Sequence, residues 1–164
     1  MTTTRQQELE IRSGRPVKCV SRNGANEKLG TVSHELERIL ARPLNHKVRL
    51  TGVMDIASKG AAHAELRFVV PCLEEFLAGR TVKRSDDQIA VLLFGELQKQ
   101  QRFVRVKRIY RALNCKHDHF YNLTRGRNPE IRLVEGCTKR TGPGGSGVVR
   151  WEEIVRFIGE RRQA

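Results

Sequence analysis

Three observations predict an α+β fold of two small units joined by a helix. Hydrophobic periodicity switches repeatedly between two and about 3.6 residues. The helical stretches are short and punctuated by Gly, Pro and Asn. The landmarks Leu29, Arg49 with Leu50, and Glu74 with Glu75 recur as Leu113, Arg132 with Leu133, and Glu152 with Glu153. A chain of 164 residues, 38% hydrophobic and 30% charged, can bury one ordinary core or two small ones. The expected division is a degenerate unit over 12–80, a connecting or first helix over 81–101, and a complete unit over 102–164.

In the first unit, SGRPVK (Ser13 to Lys18) is similar to an AT-hook core, but Ser13 stands where that motif carries Arg. A turn before a strand over Val17 to Ser21 is therefore expected. Asn23 to Leu29 reads as a short helix or turn closed by Gly30. Ser33 is placed to cap a helix to Arg42 that turns Leu36, Ile39 and Leu40 inward, carries Glu35 in its first turn and stops at Pro43. Two alternating runs, Lys47 to Ile56 and Ala64 to Val70, are separated by the Ser58, Lys59, Gly60 turn and predict a hairpin. Pro71 starts a short helix with Leu73, Phe76 and Leu77 inward, ended by Gly79. Ser85 to Gln88 (SDDQ) is a capping box opening a helix from Asp86 to about Gln101, with Ile89, Leu92, Leu93 and Leu97 as its apolar stripe. That helix suits a first helix of the second unit, a spacer or a dimer seam.

The second unit reads more clearly. Phe103 to Val106 is a strand, Lys107 to Leu113 a helix, and Asn114, which tolerates left-handed geometry, makes the turn. The next helix, Lys116 to Arg125, buries Phe120 and Leu123 and is expected to turn His117, Tyr121 and Arg125 outward, with Asn122 beside them. Strands over Ile131 to Glu135 and Val148 to Trp151 flank a Gly-rich loop with Lys139 and Arg140 at its base. Glu152 to Arg162 closes the unit, with Trp151, Ile154, Val155 and Ile158 as its buried stripe. Strand, helix, turn, helix, hairpin, helix is the order of a winged helix-turn-helix. The N-terminal half carries the same order in weaker form, so a tandem is expected.

The run RALNCKHDHFYNLTRGRNPEIRLVEG followed by VVRWEEIVRFIGER resembles the winged-helix domains of phage excisionases, AlpA-type activators and the MerR group. It matches their pattern at Leu113, Tyr121, Gly126 and Pro129. It departs at Asn114 where the pattern has Gly, at Lys116 where it has a capping Ser, at His119 where it has Thr, and by one residue fewer between Tyr121 and Pro129. The resemblance covers about sixty residues and implies duplex recognition through the second helix.

Charge points the same way. The net charge is +13, and residues 102–164 hold 15 basic against 6 acidic side chains, whereas 1–101 hold 16 against 12. Such a balance favours a polyanionic partner. The expected function is a sequence-specific DNA-binding protein of a bacterium or mobile element: a transcription regulator, an excision or recombination directionality factor, or a replication initiator. His117, Tyr121, Asn122, Arg125 and Arg127 would face the groove, Lys139 and Arg140 form the wing, and Arg102, Lys107 and Arg108 hold the backbone. Glu35 and Glu37 on the equivalent first-unit helix would repel phosphate, so the second unit should predominate. The alternative is a basic adaptor that binds RNA or an acidic protein within a ribonucleoprotein or defence complex.

Other chemistry is not expected. GPGGSG lacks the Lys and the following helix of a nucleotide-binding loop. Cys115, His117 and His119, with Cys137 further on, would point in different directions on a helix and do not suit zinc. The acid pairs Glu74 and Glu75, Asp86 and Asp87, and Glu152 and Glu153 are assigned to first turns of helices, where the dipole favours them. No cofactor, metal or catalytic residue is predicted. The longest apolar run is only a few residues, the N-terminus lacks a secretion signal's apolar core, and the cysteines are expected reduced. The reading is a cytoplasmic, nucleoid-associated protein without a membrane partner, compatible with a homodimer.

Overall fold

Local capping and glycine signals set several element ends. The computed structural model describes residues 18–134 and 147–163. The predicted turn up to Val17 and the Gly-rich loop with Lys139, Arg140 and Cys137 lie outside the described residues. Strand β1 (Cys19–Val20) leads to Ser21, whose hydroxyl accepts the Gly24 amide and opens α1 (Arg22–Leu29). Gly30 ends α1 in a left-handed conformation, φ 66°. In α2 (Ser33–Leu40) the cap position is Val32, and Ser33 is the first helical residue rather than the predicted cap. Two strands, β2 (Val53–Asp55) and β3 (Leu66–Val69), precede α3 (Val70–Leu77). The central strand β3 pairs antiparallel with β1 (Cys19 opposite Val69) and with β2 (Val53 opposite Phe68).

The predicted strand over Lys47 to Ile56 is thus only three residues long. At Gly52 the backbone takes φ 72°, and a Cβ there would stand 2.5 Å from Cys72 Sγ, so the chain bends under α3 instead of staying in a ladder. Leu73 is buried in α3, but Leu77, predicted inward, is 54% exposed. Glu74 and Glu75 also lie beyond the first turn of α3. Glu75 pairs with Arg84 at 2.7 Å and Glu74 with Lys28 at 3.8 Å.

The capping box is formed: Gln88 N donates to Ser85 Oγ (3.1 Å) and Ser85 N to Gln88 Oε1 (2.8 Å). The single helix expected over Asp86 to Gln101 is two, α4 (Asp86–Phe94) and α5 (Glu96–Gln101), broken where Gly95 takes φ 91°. Ile89 and Leu93 are buried as predicted, whereas Leu97, beyond the break, is 61% exposed.

The remaining elements are β4 (Phe103–Arg105), α6 (Val106–Ala112), α7 (His117–Leu123), β5 (Val148–Arg150) and α8 (Trp151–Arg161). Strands β4 and β5 pair antiparallel, Val104 opposite Val149. Ile131 to Val134 form no regular strand, although the Val134 amide donates to Val148 O at 2.8 Å. In α8 the buried stripe includes Phe157, which the sequence reading omitted, while Val155 is half-buried.

Several landmarks stand 84 residues apart: β1 and β4 begin at Cys19 and Phe103, α1 and α6 at Arg22 and Val106, α2 and α7 at Ser33 and His117. Gly30 and Asn114, at the same separation, are both left-handed, φ 66° and 51°. Leu36 and Phe120, likewise 84 apart, are both fully buried.

The two halves share a core. Val20, Ala25, Leu36, Val53, Phe68 and Leu73 pack within the first half. The larger cluster joins Ile89, Leu93, Ile109, Phe120, Trp151 and Ile158 to Met54, Ile56, Val69 and Cys72 of the first half. Among the described residues, no helix is long and apolar enough to cross a membrane.

Candidate nucleic-acid interface

Helices α6 and α7 are packed together by apolar anchors and joined by the four residues 113–116. Ile109, Ala112 and Leu113 from one side and Phe120 and Leu123 from the other are buried. Asn114 supplies the left-handed residue of the turn. Which face of α7 is left outside follows from a third buried residue. Tyr121 is 4% exposed, wedged edge-on against Phe120 (centroids 6.3 Å) and tilted over His117 (4.4 Å).

The predicted outward ridge of His117, Tyr121 and Arg125 is therefore corrected. Tyr121 belongs to the core, and half-buried His117 packs between Tyr121 and Tyr110, with its Nδ1 3.1 Å from Asp118 Oδ1. Helix α7 ends at Leu123, short of the predicted Arg125, so its exposed positions are Asp118 and Asn122, at i and i+4, and Arg125 and Arg127 are exposed just beyond its end. His119 also turns inward, its Nε2 2.7 Å from Ile56 O of the first half.

The predicted backbone contacts fall beside this face. Lys107 and Arg108 are exposed in the first turn of α6, and Arg108 donates to Phe94 O at 3.4 Å. Arg102, left-handed at φ 67°, is exposed but paired with Glu152 at 3.1 Å. Among the described residues, no carboxylate pairs with Lys107, Lys116, Arg125 or Arg127, so these cations keep their charge available to a polyanion. The exposed basic residues Arg105 and Arg111 were not singled out from the sequence. The signal was present in the alternation of β4 and the i, i+4 spacing on α6.

The corresponding helix of the first half differs. Glu35 is exposed on α2, and Glu37 is held by Arg22 at 2.7 Å.

Burial pushes the Cys115 thiol up to about 11, and Cys19, fully buried, up to about 12, so both stay protonated at neutral pH. His117 and His119 point to different partners, and among the described residues no three His, Cys, Asp or Glu side chains converge.

Comparison with protein-family models, with curated proteins and with solved structures finds no match to this chain.

Proposed function

We propose that the chain is a sequence-specific double-stranded DNA-binding protein built as an unequal tandem of winged helix-turn-helix units. The observation that carries the proposal is the exposed polar surface of α7 and of the residues just after it. Asn122 on α7 and Arg125 just after it are exposed, as are Lys107, Lys116 and Arg127, none of which is ion-paired among the described residues. Arg matches the two major-groove acceptors of guanine, and Asn the donor and acceptor of adenine. Helix α6 would cross the backbone while α7 enters the groove. The 84-residue spacing of strands, helices and left-handed turns supports the tandem, and the acids of α2 support unequal work by the two units. Regulator, excision factor and replication initiator are all compatible with this chemistry.

Binding of the full chain to duplex DNA over a salt series tests the reading. Arg125→Ala and Asn122→Ala should each cost about 1–3 kcal/mol on the preferred duplex and little on others. Lys107→Ala should weaken every duplex alike and reduce the salt slope by about one. Equal losses on all sequences from all three variants would count against the assignment, and a preference for RNA in the same series would favour the adaptor alternative.

A further inference from the structure

A second basic feature adjoins that face and shares Lys107 and Arg108 with it. Strand β4 alternates, so Val104 is fully buried while Phe103 and Arg105 project together to the outside. The phenyl ring of Phe103 is left 42% exposed. Lys107, Arg108 and Arg111 project from α6 beside it, and α5 contributes the amides of Gln98 and Gln101. Together they line a cleft of about 440 Å³ whose walls, among the described residues, carry four cations and no carboxylate. Among the described residues, none of the four cations is engaged in an ion pair.

The fold does not require these residues. Eighty-four positions earlier, the same strand-to-helix junction is built with Cys19 in place of Phe103, and with Ser21, Asn23, Gly24 and Glu27 in place of the four cations. Cys19 is fully buried, and Ser21 serves as a helix cap. One junction thus lines a cleft of mixed charge, shared with Glu65, Arg67 and Lys116, and keeps Cys19 buried. The other is open, cationic and faced by an aromatic ring.

Concave shape and an accessible ring distinguish this cleft from a duplex-backbone contact. Phosphates of a duplex are met by exposed cations without need of a ring, because the bases are stacked inside. An unpaired strand offers both groups at once, a base face for the ring and flanking phosphates for the cations. We propose that the cleft between α5, β4 and α6 binds an unpaired nucleic-acid strand. A base stacks on Phe103, and the adjoining phosphates lie on Arg105, Lys107, Arg108 and Arg111. This goes beyond the duplex reading and does not depend on it.

Fluorescence anisotropy of the full chain with labelled oligothymidine, labelled oligouridine and a labelled duplex tests the proposal. At least one single strand should bind, and Phe103→Ala should weaken it by about tenfold while leaving duplex affinity unchanged. Phe103→Trp should restore binding, with new tryptophan emission quenched by the strand. Arg111→Ala should weaken the strand and lower its salt slope. The stronger of the two strands names the natural partner, and either outcome with this Phe103 dependence supports the site. Unchanged thermal unfolding of Phe103→Ala would confirm an intact fold. The proposal is overturned if Phe103→Ala binds strands as the parent does, or loses strand and duplex equally. Arg125→Ala should spare strand binding, so a failure of the duplex reading is separately visible.

Discussion

Asp87 shows how one side chain ties a helix start to the core. Its Oδ1 accepts the indole N–H of Trp151 at 2.8 Å, and Lys99 lies 2.7 Å from its Oδ2. The Lys99 contact first, and then the Trp151 hydrogen bond, hold this carboxyl below its ordinary range. A depressed folded pKa contributes stability that is present above the unfolded value of about 3.9 and is lost as pH falls through the folded value. Asp87→Asn keeps an oxygen for the indole but loses the charge. Urea unfolding followed by the single tryptophan should therefore show the parent losing more stability than Asp87→Asn as pH falls from neutral into this acid range. Equal losses would show that the pair contributes nothing. The capping box beside Asp87 was legible because it is local, Ser85 to Gln88. The exposed face of α7 was not. Phe120 and Leu123 define a buried direction only within about one residue's rotation of 100°, which left positions 119 and 121 undecided. Tyr121 settles it through contacts with Phe120 and His117 that no periodicity encodes.

At the scale of elements, the turn between α6 and α7 sets where α7 stands. Asn114 holds φ 51°, so Asn114→Gly should be neutral or slightly stabilising, whereas Asn114→Ala should cost about 1–2 kcal/mol. Urea midpoints of the two variants measure the difference, and equal midpoints would contradict the left-handed assignment. This turn was readable because the residue type itself signals the conformation. The break at Gly95 was not, since a glycine inside a helix costs only about 1 kcal/mol and does not by itself announce an end. The shortening of β2 was hidden for another reason. Gly52 lies against Cys72, and a close approach between distant segments leaves no local trace.

At the scale of the whole molecule, the halves are fastened together by groups far apart in sequence. The buried Arg161 guanidinium reaches the carbonyls of Asp55 and Ala57 and pairs with Glu130, whose carboxylate also accepts the Lys59 amide at 2.6 Å. Nearby, Gln163 N donates to Val53 O at 2.8 Å, Arg162 pairs with Asp86 at 3.0 Å, and Arg67 Nε donates to Leu113 O at 3.0 Å, at the turn before α7. Arg161→Met should cost about 3–5 kcal/mol by leaving the largely buried Glu130 carboxylate without its cation, and adding Glu130→Gln should return part of it. Additive losses in chemical unfolding would show that the pair is not coupled. The sequence reading divided the chain into two units with a helix between them. Order, spacing and the charge asymmetry were legible; the shared core and the Arg161 clasp were not, because both join residues about a hundred positions apart.

The most direct test of the central claim is selection of bound duplexes from a random pool, run in parallel with the parent and with Arg125→Ala. The account predicts that the parent enriches one defined motif and that Arg125→Ala relaxes the preference at a guanine position within it while the rest persists. Absence of any enriched motif from the parent, or the same motif with unchanged preference from Arg125→Ala, would contradict it.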